Sequence, residues 1–329
     1  MAAKRQHFIP ILHLKHFVDA RGQVWTYDAE IGGARSATPD NTAVQTHFYS
    51  AAGDDGTMDT RIEDHLAKME SNAAPVYETL LQYKIPRATQ ARADFATFLA
   101  LMYARTPAMR RMNAEVYGRE LQIRSYAYAS NDKAFQRLVK GYEKERGQSL
   151  DAETQTRLRK DMLDPSGYML EIPQERTLKA LSVADELAPI LFKMKWSLAV
   201  AEHGYFITSD HPLMRLVDRR TSHPIYGDHG FYNRTAEVSF PLSPRILLLM
   251  SWNESAREIG RLDRGPVTEI NRARAANSDR CLYAHLRDKR LERLAAEFKD
   301  SRPRMTTRGF GPKKFAAITV RRSSSGERK

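Results

Sequence analysis

The sequence predicts an α+β fold that is mainly helical, with a central antiparallel sheet built from the N-terminal strands and from strands within about residues 195–252. Apolar residues recur at helical spacing over several long stretches, whereas from about residue 195 they alternate with polar residues at the period of a β-strand. Helical stretches lie on both sides of the strand-forming region without the regular alternation of a parallel sheet, which favours antiparallel strands.

The N-terminal segment is predicted to be extended. Val24, Trp25 and Tyr27 form a short run rich in β-forming residues. Segments 20–22 and 31–33 carry the glycine and polar residues typical of turns. We therefore expect strands here that pack on a larger body.

Helices are predicted from about residue 59 to 86 and from about 89 to 103. Apolar residues nearly encircle the second helix, which is therefore expected to be buried on most sides. Pro107 interrupts the pattern, after which a long helix resumes. The polar stretch from about 132 to 162 is predicted to be helical but has too few apolar positions to be central.

A further helix is expected after Pro173 and through Leu191. Alternating residues 196–200, a turn at 203–204 and the apolar segment 205–207 then predict a β-hairpin. Two more strands are predicted at 236–240 and 246–252. The chain is expected to return to helix from about residue 266 and again near 287–299.

The predicted domain organisation is one α+β domain over residues 1–300, with a helical insertion at about 130–165, and a flexible basic tail over 301–329. The chain has 52 Lys and Arg residues against 40 Asp and Glu residues, a net charge of +12. The tail has nine basic residues against Glu327 alone, a net charge of +8. Such a tail attracts polyanions through counterion release, although a solvated terminus that aids solubility is an equal alternative.

Composition excludes several classes of protein. Cys281 is the single cysteine, so an intramolecular disulfide and a zinc site with several thiolates are both ruled out. The N-terminus carries charge without a following apolar region, and no apolar stretch approaches the ~20 residues of a membrane-spanning helix. We therefore expect a cytoplasmic protein with no membrane partner.

The sequence lacks the common enzyme signatures. It has no phosphate-binding glycine loop, no dinucleotide-binding glycine motif, no zincin helix and no nucleophile elbow. These absences argue against a P-loop NTPase, a Rossmann oxidoreductase and an ordinary serine hydrolase. Short polar clusters within apolar sequence remain as candidates.

The first cluster is Gln6-His7 in the segment QHFIP. A histidine beside apolar residues can act as a general acid or base because its pKa lies near neutrality. The alternative, which is favoured for a lone histidine, is a structural ring whose nitrogens bond backbone groups at the start of a strand.

The second cluster is Ser209-Asp210-His211, directly after the apolar segment 205–207. Polar residues that follow a strand often form sites, because the sheet holds their loop in place. Asp210 could bind a metal ion or orient a histidine. Equally, it could accept hydrogen bonds from backbone N–H groups in a turn before proline.

Further candidates are single residues on helices. Arg105, at the end of the apolar helix, could grip a phosphate, pair with a buried acid or bond the last helix carbonyls. Asn271 is mildly unfavourable within a helix, so it is a candidate for a specific hydrogen bond.

A group of arginines near rings that can stack on bases suggests contact with nucleic acid. The commoner alternative is a solvated face of the protein. The group consists of Arg272, Arg274, Arg280, Tyr283 and His285.

The ordered motifs QHFIP, LHLKHF, VWTYD, YARTP, FITSDHP and FPLSP, followed by the Asn271 helix, resemble the family known as domain of unknown function 4238. The resemblance extends over about residues 6–285. His211 departs from the family pattern, which has asparagine there. The resemblance implies no activity, but it implies a shared constellation: Gln6, His7, Pro10, Arg105, Ser209, Asp210, Pro212 and Asn271.

The first functional hypothesis is a nuclease acting on RNA or DNA, as a bacterial toxin or defence effector. His7 would be the general acid or base and Arg105 would stabilise charge on the phosphoryl oxygens. Asp210 would orient His7 or bind a divalent metal ion, so the cofactor is left open. Polar side chains of the motifs would position the substrate: Gln6, Ser209, Asn271 and Arg272.

The second hypothesis is a non-catalytic protein that binds nucleic acid or another protein, in which the same clusters hold the fold together. A third, hydrolysis or transfer on a small phosphorylated substrate, requires a closed pocket that the sequence neither supports nor excludes. The sequence makes no prediction of the oligomeric state.

Overall fold

We describe the protein from a computed structural model of its chain. The structure describes residues 5–46, 48–49, 61–87, 89–164, 170, 172, 178–218, 220 and 230–300. The basic tail, residues 301–329, lies outside the described residues, and so does Pro173.

The helices follow the predicted apolar periodicity closely. They are α1 (Ile11–Leu14), α2 (Arg61–Leu81), α3 (Gln90–Ala104), α4 (Pro107–Ala129), α5 (Asp132–Arg146), α6 (Ala152–Leu163), α7 (Val183–Lys193), α8 (Arg264–Asn277) and α9 (Lys289–Glu297). Pro107 begins α4, where its missing N–H removes no helical hydrogen bond. The polar stretch predicted over 132–162 divides because Gly147, at φ 68°, ends α5 in the left-handed conformation.

The strands form one two-stranded pair and two larger sheets. They are β1 (Arg5–His7), β2 (Val24–Asp28), β3 (Ala34–Ala37), β4 (Val44–Thr46), β5 (Lys195–Ala201), β6 (Thr208–Ser209), β7 (Met214–Leu216), β8 (Glu237–Pro241), β9 (Ile246–Ser251), β10 (Ile259–Leu262) and β11 (Cys281–Ala284). The five-stranded sheet has the order β10-β5-β9-β8-β7, and the four-stranded sheet has the order β3-β2-β11-β6. The remaining pair is β1-β4.

The α+β class with antiparallel strands is confirmed, and the strands are distributed over more than one sheet. The N-terminal strand β2 pairs with β11, whereas β5, β8 and β9 belong to the five-stranded sheet. Of the pairs in the described part of the chain, only β10 with β5 is parallel.

The hairpin predicted over 196–207 is wrong. β5 pairs with β9 and β10, and segment 205–207 does not pair with it. Instead β6, two residues long, pairs with β11 of the other sheet. The turn at 203–204 is present, with Gly204 at φ 88°, but it directs the chain out of the five-stranded sheet.

The core lies on both faces of the five-stranded sheet. On one face, Trp196, Phe240 and Met250 pack in a cluster with the fully buried side of α3, including Phe95 and Leu99. Alternate residues on the other face pack beneath α8, in a cluster containing Ala199, Ala201, Phe206, Leu247 and Val267. Helix α9 covers the second sheet, where Leu291 and Ala295 join Tyr27 and Leu282.

The chain separates into two compact units. Within the described residues, one unit lies in the ranges 5–110 and 178–300, and the other lies in the range 111–172. In the second unit α5 and α6 share a small core of Ala129, Phe135, Val139 and Met162. The single domain predicted over 1–300 stays a prediction; the helical insertion predicted at about 130–165 falls within the second unit.

Among the described residues, none of the helices has the length and apolar composition to cross a membrane.

Candidate functional site

The first cluster forms where β1 meets the end of α3. Gln6 is buried in β1, with its Nε2 donating to Glu63 Oε2 at 3.1 Å and its Oε1 accepting from the backbone N–H of Tyr49 at 2.6 Å. The Gln6 side chain thus ties β1 to helix α2 and to the segment after β4. This is the alternative in which the QHFIP motif holds the fold.

Arg105 follows α3 directly, and its guanidinium is almost fully buried. It donates to Glu70 Oε1 at 2.6 Å, to the carbonyl oxygen of His7 at 2.6 Å and to the Tyr49 hydroxyl at 3.1 Å. Burial acts to lower the pKa of Arg105, but Tyr49 and Glu70 offset it and raise that pKa above its ordinary value. Arg105 therefore stays charged and joins three elements.

The His7 imidazole is half-buried, and its Nε2 lies 3.2 Å from the carbonyl oxygen of Asp40. Burial lowers the pKa of His7, against the opposing effect of that carbonyl. Only the backbone of His7 contacts the Arg105 guanidinium. Within the described residues, no hydrogen bond or ion pair joins His7 to Asp210.

Asp210 is buried, and both of its carboxylate oxygens accept hydrogen bonds from one backbone turn. The donors are the N–H groups of Asp279 at 2.8 Å, Arg280 at 2.7 Å and Cys281 at 2.7 Å. Burial, followed by the nearby Asp279 carboxylate, raises the pKa of Asp210 to about 7, while the three donors act in the opposite direction. Asp210 fixes the turn from which β11 starts.

Ser209 and His211 flank Asp210 in the loop and form hydrogen bonds of their own. Ser209 Oγ accepts from the backbone N–H of His211 at 3.2 Å, which is a local serine turn. His211 is buried, with Nδ1 at 3.0 Å from Thr106 Oγ1. Since Thr106 follows Arg105, the TSDHP loop and the end of α3 are hydrogen-bonded neighbours.

The Asn271 amide fastens α8 to segment 205–207. Its Oδ1 accepts from the N–H of Ile207 at 3.1 Å, and its Nδ2 donates to the carbonyl oxygen of Tyr205 at 2.8 Å. The amide thus takes the place of a neighbouring strand. The specific bond predicted for Asn271 exists, and its partner is backbone.

The predicted arginine and aromatic cluster does not form one basic surface. Arg274 is fully buried and donates to the carbonyl oxygen of Pro212 at 2.5 Å and to Ser239 Oγ at 3.0 Å. Arg280 pairs bidentately with Asp28, with both N–O distances at 2.8 Å. Tyr283 is buried. Only Arg272 of that set lies beside an open groove.

This groove runs between α8 and α9 and has a volume of about 460 Å³. Its apolar residues are Val267, Leu291 and Leu294, and its charged residues are Arg264, Arg272, Asp288, Arg290, Arg293 and Glu297. We call it the α8–α9 groove. Gly204 also lines it, and a Cβ at that position would lie 3.5 Å from Val267 Cγ1.

The charges of the α8–α9 groove are unequally paired. Arg272 forms an ion pair with Glu297 at 2.5 Å, and Arg290 forms one with Asp288 at 2.7 Å. Arg264 and Arg293 have no side-chain hydrogen bond or ion pair with any residue that the structure describes. The groove therefore presents two guanidinium groups that no described residue engages through a hydrogen bond or an ion pair.

Sequence reasoning missed Arg264 and Arg293. Arg293 had a detectable signal, because Leu291, Leu294 and Ala295 mark the buried face of α9 and leave Arg290 and Arg293 beside it. Sequence reasoning also missed Glu63 and Glu70, the partners of Gln6 and Arg105. These two residues are seven positions apart and therefore lie on one face of α2.

A further missed residue is the fully buried His13 of the LHLKHF motif. Its Nδ1 lies 2.9 Å from the Tyr77 hydroxyl and its Nε2 lies 2.8 Å from Thr208 Oγ1. Tyr77 donates its own proton to the carbonyl oxygen of Leu242 at 2.8 Å, so His13 Nδ1 carries the proton and Nε2 accepts from Thr208. Burial holds the pKa of His13 well below its usual range, in keeping with a neutral ring.

The structure thus brings Gln6, His7 and Arg105 together and places Ser209 and Asp210 in a neighbouring loop. Asn271 and Arg272 lie apart from that cluster, beside the α8–α9 groove. Across the described part of the chain, no group of three His, Cys, Asp or Glu residues is arranged to hold a metal ion.

Comparison with protein families matches residues 5–288 to a family model described as protein of unknown function, DUF4238. Neither the curated proteins nor the solved structures give a match.

Proposed function

The chain belongs to the DUF4238 family, whose description names no activity, and we propose from the geometry that it binds nucleic acid without cleaving it. The α8–α9 groove carries this proposal. It is open, half-apolar and lined by four arginines, of which Arg264 and Arg293 lack a partner among the described residues. Guanidinium groups of this kind bind phosphate oxygens through paired N–H donors.

The length of the groove suits a polyanion. Arg264 and Arg272 lie eight residues apart on α8, which corresponds to about 12 Å, or roughly three to four nucleotides at about 3.4 Å each. The net charge of +12 adds long-range attraction. The basic tail would supply further sequence-independent affinity.

The bonding of the predicted catalytic side chains favours binding over cleavage. Arg105 and Asp210 are buried, and their polar atoms are engaged by Glu70, Tyr49, the His7 carbonyl and the backbone of 279–281. A phosphoryl group would have to displace these bonds. Asn271 is similarly committed to backbone.

Removal of the two unpaired arginines tests the proposal. We expect the Arg264→Ala/Arg293→Ala double variant to bind a labelled oligonucleotide more weakly, because two guanidinium groups that bind phosphate are removed. The slope of log K against log salt should fall in magnitude by about 0.7 to 0.9 for each of these groups. Fluorescence anisotropy over a salt series measures both quantities.

Arg157→Ala is the matched control, since Arg157 is exposed on α6 and has no side-chain partner within the described residues. Its salt slope should equal that of the wild type. Absence of binding by the wild type, or equal slopes for the groove variant and the control, would reject the proposal.

A nuclease is the second candidate, favoured because the backbone of His7 bonds Arg105, which also bonds Glu70 and Tyr49, and because the charge of Arg105 acts on the His7 imidazole. His7 would act as general acid or base and Arg105 would stabilise the phosphoryl charge. Incubation of the protein with labelled RNA and DNA, with and without Mg²⁺, separates the candidates. We expect intact substrate; cleavage that His7→Ala abolishes without loss of binding would establish the nuclease instead.

A further inference from the structure

We infer that the protein has a second binding surface, a stacking platform for the bases of single-stranded nucleic acid, formed by Phe231, Tyr232, Arg234 and Trp252. This inference rests on the proposed nucleic acid binding and specifies the form of the ligand. The platform belongs to the same compact unit as the α8–α9 groove and shares no residue with it.

The platform lies at the edge of the five-stranded sheet where β8 begins and β9 ends. Residues 230–232 form a 3-10 turn before β8, and Trp252 follows β9 directly. The indole Nε1 of Trp252 donates to the carbonyl oxygen of Phe231 at 3.0 Å. The turn and the end of β9 are therefore locked together, and both Phe231 and Trp252 pack on the main core.

Tyr232 supplies the exposed ring of the platform. Tyr232 is 69% exposed, the largest exposure among the large apolar and aromatic side chains of the described residues. Its neighbour Phe231 is held from below by the edge of Tyr103, with ring centroids 5.3 Å apart. An exposed tyrosine on a rigid turn loses little conformational freedom when a base stacks on it.

Guanidinium groups accompany these rings. Arg234 lies over the Trp252 ring at 5.1 Å and Arg215 lies over the Phe231 ring at 5.5 Å. Arg234 has no hydrogen bond or ion pair with the described residues, so its N–H groups remain available to a phosphate. An aromatic ring beside an arginine such as Arg234 is a combination with which proteins bind single strands, because a base stacks on the ring and the nucleic acid backbone contacts positive charge.

A polar cleft of about 430 Å³ adjoins the platform through Arg234. On its wall, the Glu237 carboxylate is a hydrogen-bond acceptor and the amide nitrogen of Asn253 is a donor. The edges of unstacked bases are recognised by such groups, whereas in a duplex the bases are stacked and paired. The geometry therefore selects a single strand over a duplex.

The experiment compares a labelled single-stranded oligonucleotide with its duplex at one ionic strength, by fluorescence anisotropy. Tyr232→Ala is expected to weaken single-strand binding about tenfold and to leave duplex binding unchanged. Tyr232→Phe keeps the ring and should bind as the wild type does. Tyr142→Ala, which removes a 47% exposed tyrosine from α5, is the matched control and should have no effect.

The outcomes separate the two proposals. If Tyr232→Ala binds single strands like the wild type while Arg264→Ala/Arg293→Ala binds them weakly, the platform is wrong and the groove stands. Equal weakening of single-strand and duplex binding by Tyr232→Ala also overturns the platform. If the wild type binds neither form, nucleic acid binding fails and the platform fails with it.

Discussion

At the scale of single residues, several polar side chains serve as hydrogen-bond partners for backbone that regular pairing does not reach. The Asp210 carboxylate accepts three N–H groups of one turn, and the Asn271 amide pairs with an extended segment as a strand would. Arg105 binds the His7 carbonyl, which belongs to β1. Buried backbone groups need such partners wherever regular pairing ends.

Replacement of Asp210 by asparagine tests this role at nearly constant volume. The amide nitrogen would face at least one of the three N–H donors, leaving that donor unpaired. We expect Asp210→Asn to lower the free energy of unfolding by about 2 to 3 kcal/mol at pH 8. Urea denaturation followed by circular dichroism measures the change.

Asp161→Asn is the control, because Asp161 is exposed on α6. Its effect should lie within about 0.5 kcal/mol of the wild type. Equal stability of Asp210→Asn and the wild type would contradict the role assigned to the Asp210 carboxylate.

The environment of His16 predicts that the folded protein loses stability in acid. It stacks on Tyr77 with ring centroids 4.6 Å apart, and burial, followed by Lys15, lowers the pKa of His16 to about 4. Between pH 6.5 and 4 the unfolded state binds a proton that the native state does not, so stability falls as pH falls. The contribution is at most about 1.4 kcal/mol per pH unit.

His16→Gln removes this titration. The free energy of unfolding of the variant should therefore depend less on pH than that of the wild type between pH 6.5 and 4. Parallel curves from urea denaturation at a series of pH values would show that His16 is not the titrating group.

Sequence reasoning located the polar residues but could not identify their partners. It gave a buried acid as one partner for Arg105 and a local turn before proline as one for Asp210; Arg105 pairs with the partly exposed Glu70, and Asp210 binds a distant turn instead. Yet Glu70 is 35 residues from Arg105, and the turn at 279–281 is about 70 residues from Asp210. Only the tertiary fold brings such groups together.

At the scale of elements, the sequence was most informative where one pattern dominated. Helix α3 was predictable because prolines bracket a nearly continuous apolar stretch, and β8 with β9 because a short turn with prolines joins two short apolar-rich runs. The hairpin after β5 failed because local pattern cannot show that Asn271 satisfies segment 205–207. Strand pairing across the chain is likewise not encoded locally.

The attachment of α8 to segment 205–207 predicts a measurable effect of Asn271. In Asn271→Ala the N–H of Ile207 and the carbonyl of Tyr205 lose their partners inside the protein. We expect the free energy of unfolding to fall by roughly 2 kcal/mol, measured by urea denaturation.

Asn277→Ala provides the comparison on the same helix, since the Asn277 amide donates to the carbonyl of Ala273, within α8, and bonds no other described residue. Its effect should be clearly smaller. Similar losses for both variants would mean that the bridge to segment 205–207 does not determine the stability at Asn271.

At the scale of the whole molecule, positive charge is concentrated at the C-terminal end of the chain. The tail over 301–329 carries +8 of the net charge of +12. A tail of this charge acts on polyanions through its counterions and needs no defined geometry. The groove and the tail would therefore contribute separately to affinity.

Replacement of the nine basic tail residues by glutamine separates these contributions. We expect weaker binding to any nucleic acid and a shallower salt dependence, by about 0.7 to 0.9 for each phosphate that the tail no longer neutralises. The effect of Arg264→Ala/Arg293→Ala should persist in this background. Anisotropy over a salt series measures both effects. If the tail replacement leaves the salt slope unchanged, all phosphate binding belongs to the body of the protein.

The pairing of β2 with β11 has a consequence for biosynthesis. Asp28 at the end of β2 and its ion-pair partner Arg280 lie 252 positions apart. At about 5 to 20 residues per second, the ribosome needs on the order of 10 to 50 s to make the intervening chain. During that interval β2 can pair with β3, but the edge of β2 that pairs with β11 stays open to chaperones until β11 emerges.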